Sequence, residues 1–150
     1  MKGFKFRLDA ILKLKKMHED KLKMEVGKIQ VKIQDNKRQI QEDFRDIEMA
    51  YDVQSEELKN GARGENLAFY PYFEQGKKAK IAYFEEQNTL LEKQKEGLLV
   101  QLAQARSTVK VYTEMKEKEK EKYKKSISKK KQEILEEQVL SWNYQRKKSC

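Results

Sequence analysis

The chain is poor in the residues that close a compact globule around a reactive centre. Its 150 residues include one proline, one cysteine, one histidine, one tryptophan and six glycines. The single cysteine, Cys150, can close no internal disulfide, and an incidental exposed thiol is expected there. The one histidine, His18, has no second histidine or cysteine beside it and reads as a tolerated position on an apolar stripe, not as a ligand or base. No phosphate loop or Ser/His/Asp pattern is present, and the carboxylates are scattered at spacings that suit i,i+4 pairs with lysine. No catalytic, cofactor-binding or metal-binding residue is therefore expected. No apolar run approaches the roughly eighteen residues of a membrane-spanning helix, and the opening MKGFKFRLDAIL is too charged for the core of a secretory signal, so a cytoplasmic location is expected.

What the chain does contain is charge and spaced apolar residues. Charged residues make up 39% and hydrophobic ones 37%, a profile of long helices and coiled coils. From Phe4, the positions Leu8, Ile11, Lys15, His18, Leu22, Val26, Ile29, Ile33, Asn36, Ile40, Phe44, Ile47, Tyr51 and Leu58 follow steps of three, four or seven and form one stripe along one helix. A second stripe runs through Phe73, Ile81, Phe84, Leu91, Leu98, Leu102, Ala105, Val109, Tyr112, Tyr123, Ile127 and Ile134. Paired four-residue steps in each predict slightly irregular coiled-coil helices.

Between the stripes lies NGARGENLAFYPYFEQGKKAK, which holds the only proline and three of the six glycines. Gly61 stands just past a helix end, Gly64 loosens the turn, Asn66 is a candidate cap, and Pro71 sits near a helix start where its missing N–H costs least. The expected fold is all-α: a single two-helix antiparallel coiled-coil hairpin spanning 1–150. Its helices cover about 5–59 and 71–143, the bend about 60–70, and a basic tail 144–150. At 1.5 Å per residue the two arms would measure roughly 80 and 110 Å.

Facing residues are expected to add up to about 128, which pairs Val26 with Leu102, Ile29 with Leu98, Phe44 with Phe84, Ile47 with Ile81 and Phe4 with Tyr123. Toward the termini the same rule pairs Leu8 with Glu119, Ile11 with Lys116 and Lys15 with Tyr112, a weakly zippered end. The second helix overhangs the first, leaving Ile127, Ile134, Leu135, Val139, Leu140 and Trp142 without partners in the chain. Charge follows the same division: residues 1–32 carry +6, 33–115 carry −3 and 116–150 carry +6. The hairpin therefore gathers about +12 at the end holding both termini, which favours acidic partners. The lysine-rich run KEKEKEKYKKSISKKK also fits a merely solvated helix face, and the aromatics of the bend also fit a plug that closes the hairpin.

Several features together resemble the FliJ family of the bacterial flagellar type III export apparatus: the start FKFRLDAILKLKKMHEDKLKME, the bend near Asn60, the aromatic lead-in YPYFEQGKKAKIAYFEEQ and the basic second helix. The likeness covers nearly the whole chain, and its distinctive parts are F-x-F-R-L-x-x-I-L and the aromatic lead-in. It implies a two-helix coiled coil similar to the stalk of rotary ATPases, with the terminal end seated in a hexameric export ATPase and promoting its assembly and activity. Residues placed to meet the ring are Phe4, Leu8, Ile11, Lys13, Lys16, Lys124, Lys125 and Ile127. It further implies contact with the membrane protein of the export gate, through Tyr70, Tyr72, Phe73 and Ile81, and with export chaperones. The hairpin is expected to be a monomeric or weakly dimeric rod without cofactor, and the resemblance implies peripheral association with the inner membrane at the flagellar base. The sequence departs from the family at Lys77, where members often carry leucine. Two other readings fit the composition: a generic cytoplasmic coiled-coil scaffold, and a basic nucleic-acid-binding coiled coil. Against the latter, lysine alternating with glutamate is a poor reader of bases, and no nucleic-acid partner is expected.

Overall fold

The computed structural model describes residues 3–61 and 63–148, without the side chains of Glu65 and Asn66. The expectations for Cys150 and for an Asn66 cap lie outside the described residues. The fold is an all-helical hairpin: α1 (Asp9–Lys59), the single turn α2 (Gly64–Leu67) and the longer α3 (Phe69–Lys148). Helix α1 starts at Asp9, later than the expected residue 5. Its first turn carries that aspartate at the positive end of the helix dipole, and the Asp9 N–H is held by the Phe6 carbonyl at 3.1 Å. Its other end closes on Gly61, whose φ of +78° is a left-handed conformation that suits glycine. There the Asn60 and Gly61 N–H groups donate to the Glu56 and Leu58 carbonyls.

Helix α3 begins at Phe69, which places Pro71 in the first turn, where a missing N–H breaks no helical bond. It runs on to Lys148, so residues 144–148 are helical where a tail was expected, with Arg146, Lys147 and Lys148 in a last turn that favours cations.

The chain divides into two compact units, each drawing on both arms of the hairpin. Unit 1 comprises residues 1–19 and 104–150, and unit 2 residues 20–103. In unit 2 the α1 residues facing α3 are Leu22, Val26, Ile29, Ile33, Asn36, Ile40, Asp43, Ile47, Ala50, Gln54 and Glu57, all buried or half-buried. The steps alternate between three and four residues throughout, so the α1 side of this seam is a regular heptad without the expected paired four-residue steps.

This regularity corrects the expected stripe. Past Ile40 the seam takes Asp43, Ala50 and Glu57, and leaves Phe44, Tyr51 and Leu58 exposed at 50%, 47% and 57%. Each expected residue is one position off. In unit 1 Leu12 is buried, whereas Ile11, Lys15 and His18 are exposed and Glu19 is half-buried.

The register also differs. Asn36 donates to Asn88, Lys95 to Gln30, and in unit 1 Lys116 to Asp9, so helical partners add up to 124 or 125, about one turn short of 128. Lys116 therefore meets Asp9 and not Ile11. Phe4 does stack on Tyr123 as expected, with ring centroids 5.6 Å apart. It keeps that partner because residues 3–8 precede the helix and advance further per residue than helical ones.

The Asn36 to Asn88 bond measures 2.9 Å, and Asn88 also donates to the Ile33 carbonyl at 3.4 Å, so this polar layer ties one register across the seam. Cysteines replacing Asn36 and Asn88 together should give an intramolecular disulfide in dilute protein, read on a non-reducing gel. A mainly intermolecular product would replace the hairpin with a dimer of extended chains.

Candidate interaction sites

Unit 1 is strongly basic. Its described residues hold nineteen lysines and arginines against nine acids, a net +10. Phe6 and Leu12 are buried and fasten the N-terminal segment, while Phe4 and Leu8 are half-buried. Asp9 is the electrostatic node of this end: Lys116 donates to it at 3.0 Å and Lys13 lies 3.6 Å away. The Lys116 hydrogen bond holds its carboxyl below the usual range. Of the remaining residues expected to meet a ring, Ile11, Lys13, Lys16, Lys124 and Lys125 are exposed and Ile127 is half-buried.

Beyond Ile127 every described side chain is exposed. Ile134, Leu135, Val139 and Trp142 fall within one face by the helical repeat of 3.6 and lie between 49% and 67% exposed. The Arg146 guanidinium sits 5.9 Å from the Trp142 ring, and Lys148 lies over Tyr144. The expected overhang is thus present, as an apolar face edged by cations.

In unit 2 the aromatics expected at a partner site are only partly available. Tyr72 is exposed, whereas Tyr70 and Phe73 are half-buried and Ile81 is a core residue at 5% exposure. Ile81 is therefore removed from the expected surface: it occupies a seam position, and its side chain has left water. The Tyr70 hydroxyl donates to Glu57 at 3.0 Å, and burial with that carboxylate pushes its pKa up. The Tyr51 hydroxyl donates to Glu74, which Lys78 also holds at 2.8 Å. Those two contacts, Lys78 first, lower the Glu74 pKa, while the bond to Glu74 raises that of Tyr51. Between these pairs a cavity of about 150 Å³ opens over the small side chain of Ala50, bordered by Tyr51, Gln54, Tyr70, Pro71 and Phe73. It is large enough to accept an apolar side chain.

Sequence reasoning missed the group that organises this region. Asp43 is fully buried, and its Oδ1 accepts from Gln39 at 3.1 Å and from Lys77 at 3.4 Å. Its Oδ2 has no partner. Lys77 also donates to Asp46 at 2.8 Å and lies 5.6 Å from the Phe73 ring centroid. The hydrogen bond to Asp46, with a smaller one to Asp43, raises the lysine pKa against the opposing effect of burial. The signal in the sequence was Lys77 itself, a cation on an apolar stripe that calls for an acid on the facing helix. Among the described residues no cluster of three or more His, Cys, Asp or Glu could hold a metal ion, and no helix is long and apolar enough to cross a membrane.

Replacing Lys77 with leucine leaves Asp43 buried without its cation and should destabilise the protein by about 3–5 kcal/mol in denaturant unfolding. Adding Asp43→Leu should recover most of the loss. Because the folded lysine pKa is raised, its contribution is complete below the unfolded value of about 10.4 and is lost only as pH rises through the folded value. The gap between wild type and Lys77→Leu should therefore hold constant from about pH 7 to 10 and narrow above that. Comparison with protein-family models, curated proteins and solved structures gives no match to this chain.

Proposed function

We propose that the chain is a stalk-type component of a flagellar type III export apparatus, whose basic terminal unit engages a hexameric export ATPase and raises its activity. The observation that carries this reading is the construction of unit 1. Two buried apolar anchors, Phe6 and Leu12, fasten the N-terminal segment, and cations cover the surface. The second helix runs on past its partner as an apolar face edged by lysine and arginine. An isolated hairpin gains nothing from exposing Ile134, Leu135, Val139 and Trp142. An acidic ring lumen with apolar loops would satisfy both the charge and the exposed face.

Contacts of this kind suit an axle that must change partners. Exposed charges interact over the Debye length, are screened by salt, and set the rate of encounter more than the depth of binding. The F-x-F-R-L-x-x-I-L start then divides its labour: Phe6 and Leu12 build the fold, while Arg7 and Ile11 remain for a partner. In unit 2 the bend offers Tyr72, the edges of Tyr70 and Phe73, and the adjoining cavity as the gate-facing surface, with no part for Ile81. Export chaperones and a peripheral position at the inner membrane belong to the same proposal. The protein itself performs no chemistry in it.

Reversing the charge of Lys13, Lys16, Lys124 and Lys125 to glutamate should abolish stimulation of ATP hydrolysis by the cognate export ATPase. Wild-type stimulation should fall as salt rises from about 50 to 300 mM, measured by phosphate release. Stimulation that survives both changes would remove the electrostatic axle, and a wild-type protein that never stimulates would remove the export assignment.

A further inference from the structure

Unit 2 carries a second apolar stripe that its own fold leaves outside. Phe44, Tyr51 and Leu58 recur every seventh residue on α1, beside the seam, and each is about half exposed. Tyr51 is held in place by its bond to Glu74 and borders the cavity over Ala50, so the stripe has a fixed member and an adjoining recess. Its surroundings are acidic. Residues 41–58 hold seven carboxylates against one arginine, a net −6. Asp43 and Asp46 are taken by Lys77, and Glu57 by Tyr70. Glu48 and Asp52 are exposed, form no ion pair among the described residues, and follow Phe44 at successive four-residue steps along the stripe.

Residues 124–148 are the complement in both respects. They hold eight lysines and arginines against three glutamates, a net +5. Their apolar residues repeat at the same interval, with the half-buried Ile127 and the exposed Ile134 seven apart, and the exposed Leu135 and Trp142 seven apart. Lys131 stands one turn before Leu135 and Arg146 one turn after Trp142, so cations flank the apolar run. A helix with apolar residues every seven positions and basic flanks is what an acidic, heptad-spaced apolar stripe is built to take.

We infer that the overhanging segment of one copy docks on the Phe44–Tyr51–Leu58 stripe of a second copy. Like-with-like pairing is disfavoured by charge: two overhangs would set Lys129, Lys130 and Lys131 against Arg146, Lys147 and Lys148 or against themselves, and two bends would oppose carboxylates. The contact is consequently heterologous. Each contact therefore joins the overhang of one copy to the stripe of another, so that unlike surfaces meet. This association goes beyond the stalk reading and gives the overhang a cover when no ring is present.

Sedimentation velocity on the full chain tests it. Weight-average mass should rise with protein concentration at about 50 mM salt and return to that of one chain at about 300 mM. Two double variants separate the surfaces: Phe44→Glu with Leu58→Glu, which retains the Tyr51 to Glu74 bond, and Leu135→Glu with Trp142→Glu. Each alone should stay monomeric with wild-type helicity by circular dichroism. Mixed in equal amounts, they should form a one-to-one pair that grows no further, because the intact overhang of the first meets the intact stripe of the second. A wild type that remains monomeric at low salt at the highest concentration attainable overturns the inference, as does a mixture that fails to pair. Growth that persists in either variant alone would assign the association to other surfaces and overturn it equally. None of these results bears on ATPase stimulation, which is read separately.

Discussion

The hydrogen bonds from Lys77 to Asp43 and Asp46 are the constraint on which the rest of unit 2 depends. A carboxylate with no exposed surface is tolerated only where a cation and further donors meet it, and here Lys77 and Gln39 do so on one oxygen while the other stays unpartnered. Because Asp43 must face α3 to reach that lysine, α1 is turned so that Ala50 and Glu57 follow it into the seam. Phe44, Tyr51 and Leu58 are thereby kept outside. An apolar pair at these positions would keep most of the stability but would not demand that one particular residue of α1 face α3. The ion pair thus favours the packing in which Asp43 is inside and Phe44 outside, in the manner of a polar residue that sets register in a coiled coil.

That selection connects local chemistry to interaction. The small Ala50 in place of the bulkier Tyr51 opens the cavity at the bend, and the displaced aromatics and leucine become a surface. In unit 1 the logic is different. There the helix ends are fastened by a few apolar side chains and by Asp9 with Lys116, and the long second helix continues without any covering partner. One unit displays what its seam refused, and the other what its length left over. Both surfaces exist because the hairpin buries only a narrow stripe of each helix.

The α3 stripe was legible almost residue by residue, since Ile81, Phe84, Leu91, Leu98, Leu102, Ala105, Val109 and Tyr112 all lie buried or half-buried. The α1 stripe was legible only from Leu22 to Ile40, since Ile11, Lys15 and His18 are exposed where Leu12 is buried. Between Ile40 and Ile47 the seam must use the third or the fourth residue. Hydrophobicity alone chooses Phe44 over Asp43, because it weighs each residue without its partner. The same error recurs at Ala50 and at Glu57. Ile81 failed as a surface residue for the converse reason, its place on the stripe being the very cause of its burial. Which of the basic residues at the chain ends stay exposed, by contrast, was readable from charge and spacing.

The sequence by itself determined that the chain is two long helices, that Gly61 and Pro71 bound the turn between them, and that cations gather on the residues near both termini. These are consequences of backbone chemistry and of composition, which act residue by residue and need no knowledge of what lies opposite. Only the tertiary structure decided the register, shorter by about a turn than apolar matching suggested, and the rotation that buries Asp43 while exposing Phe44. Those choices depend on pairs more than thirty residues apart, such as Lys77 with Asp43 and Asn36 with Asn88, whose energies exist only once both helices are in place.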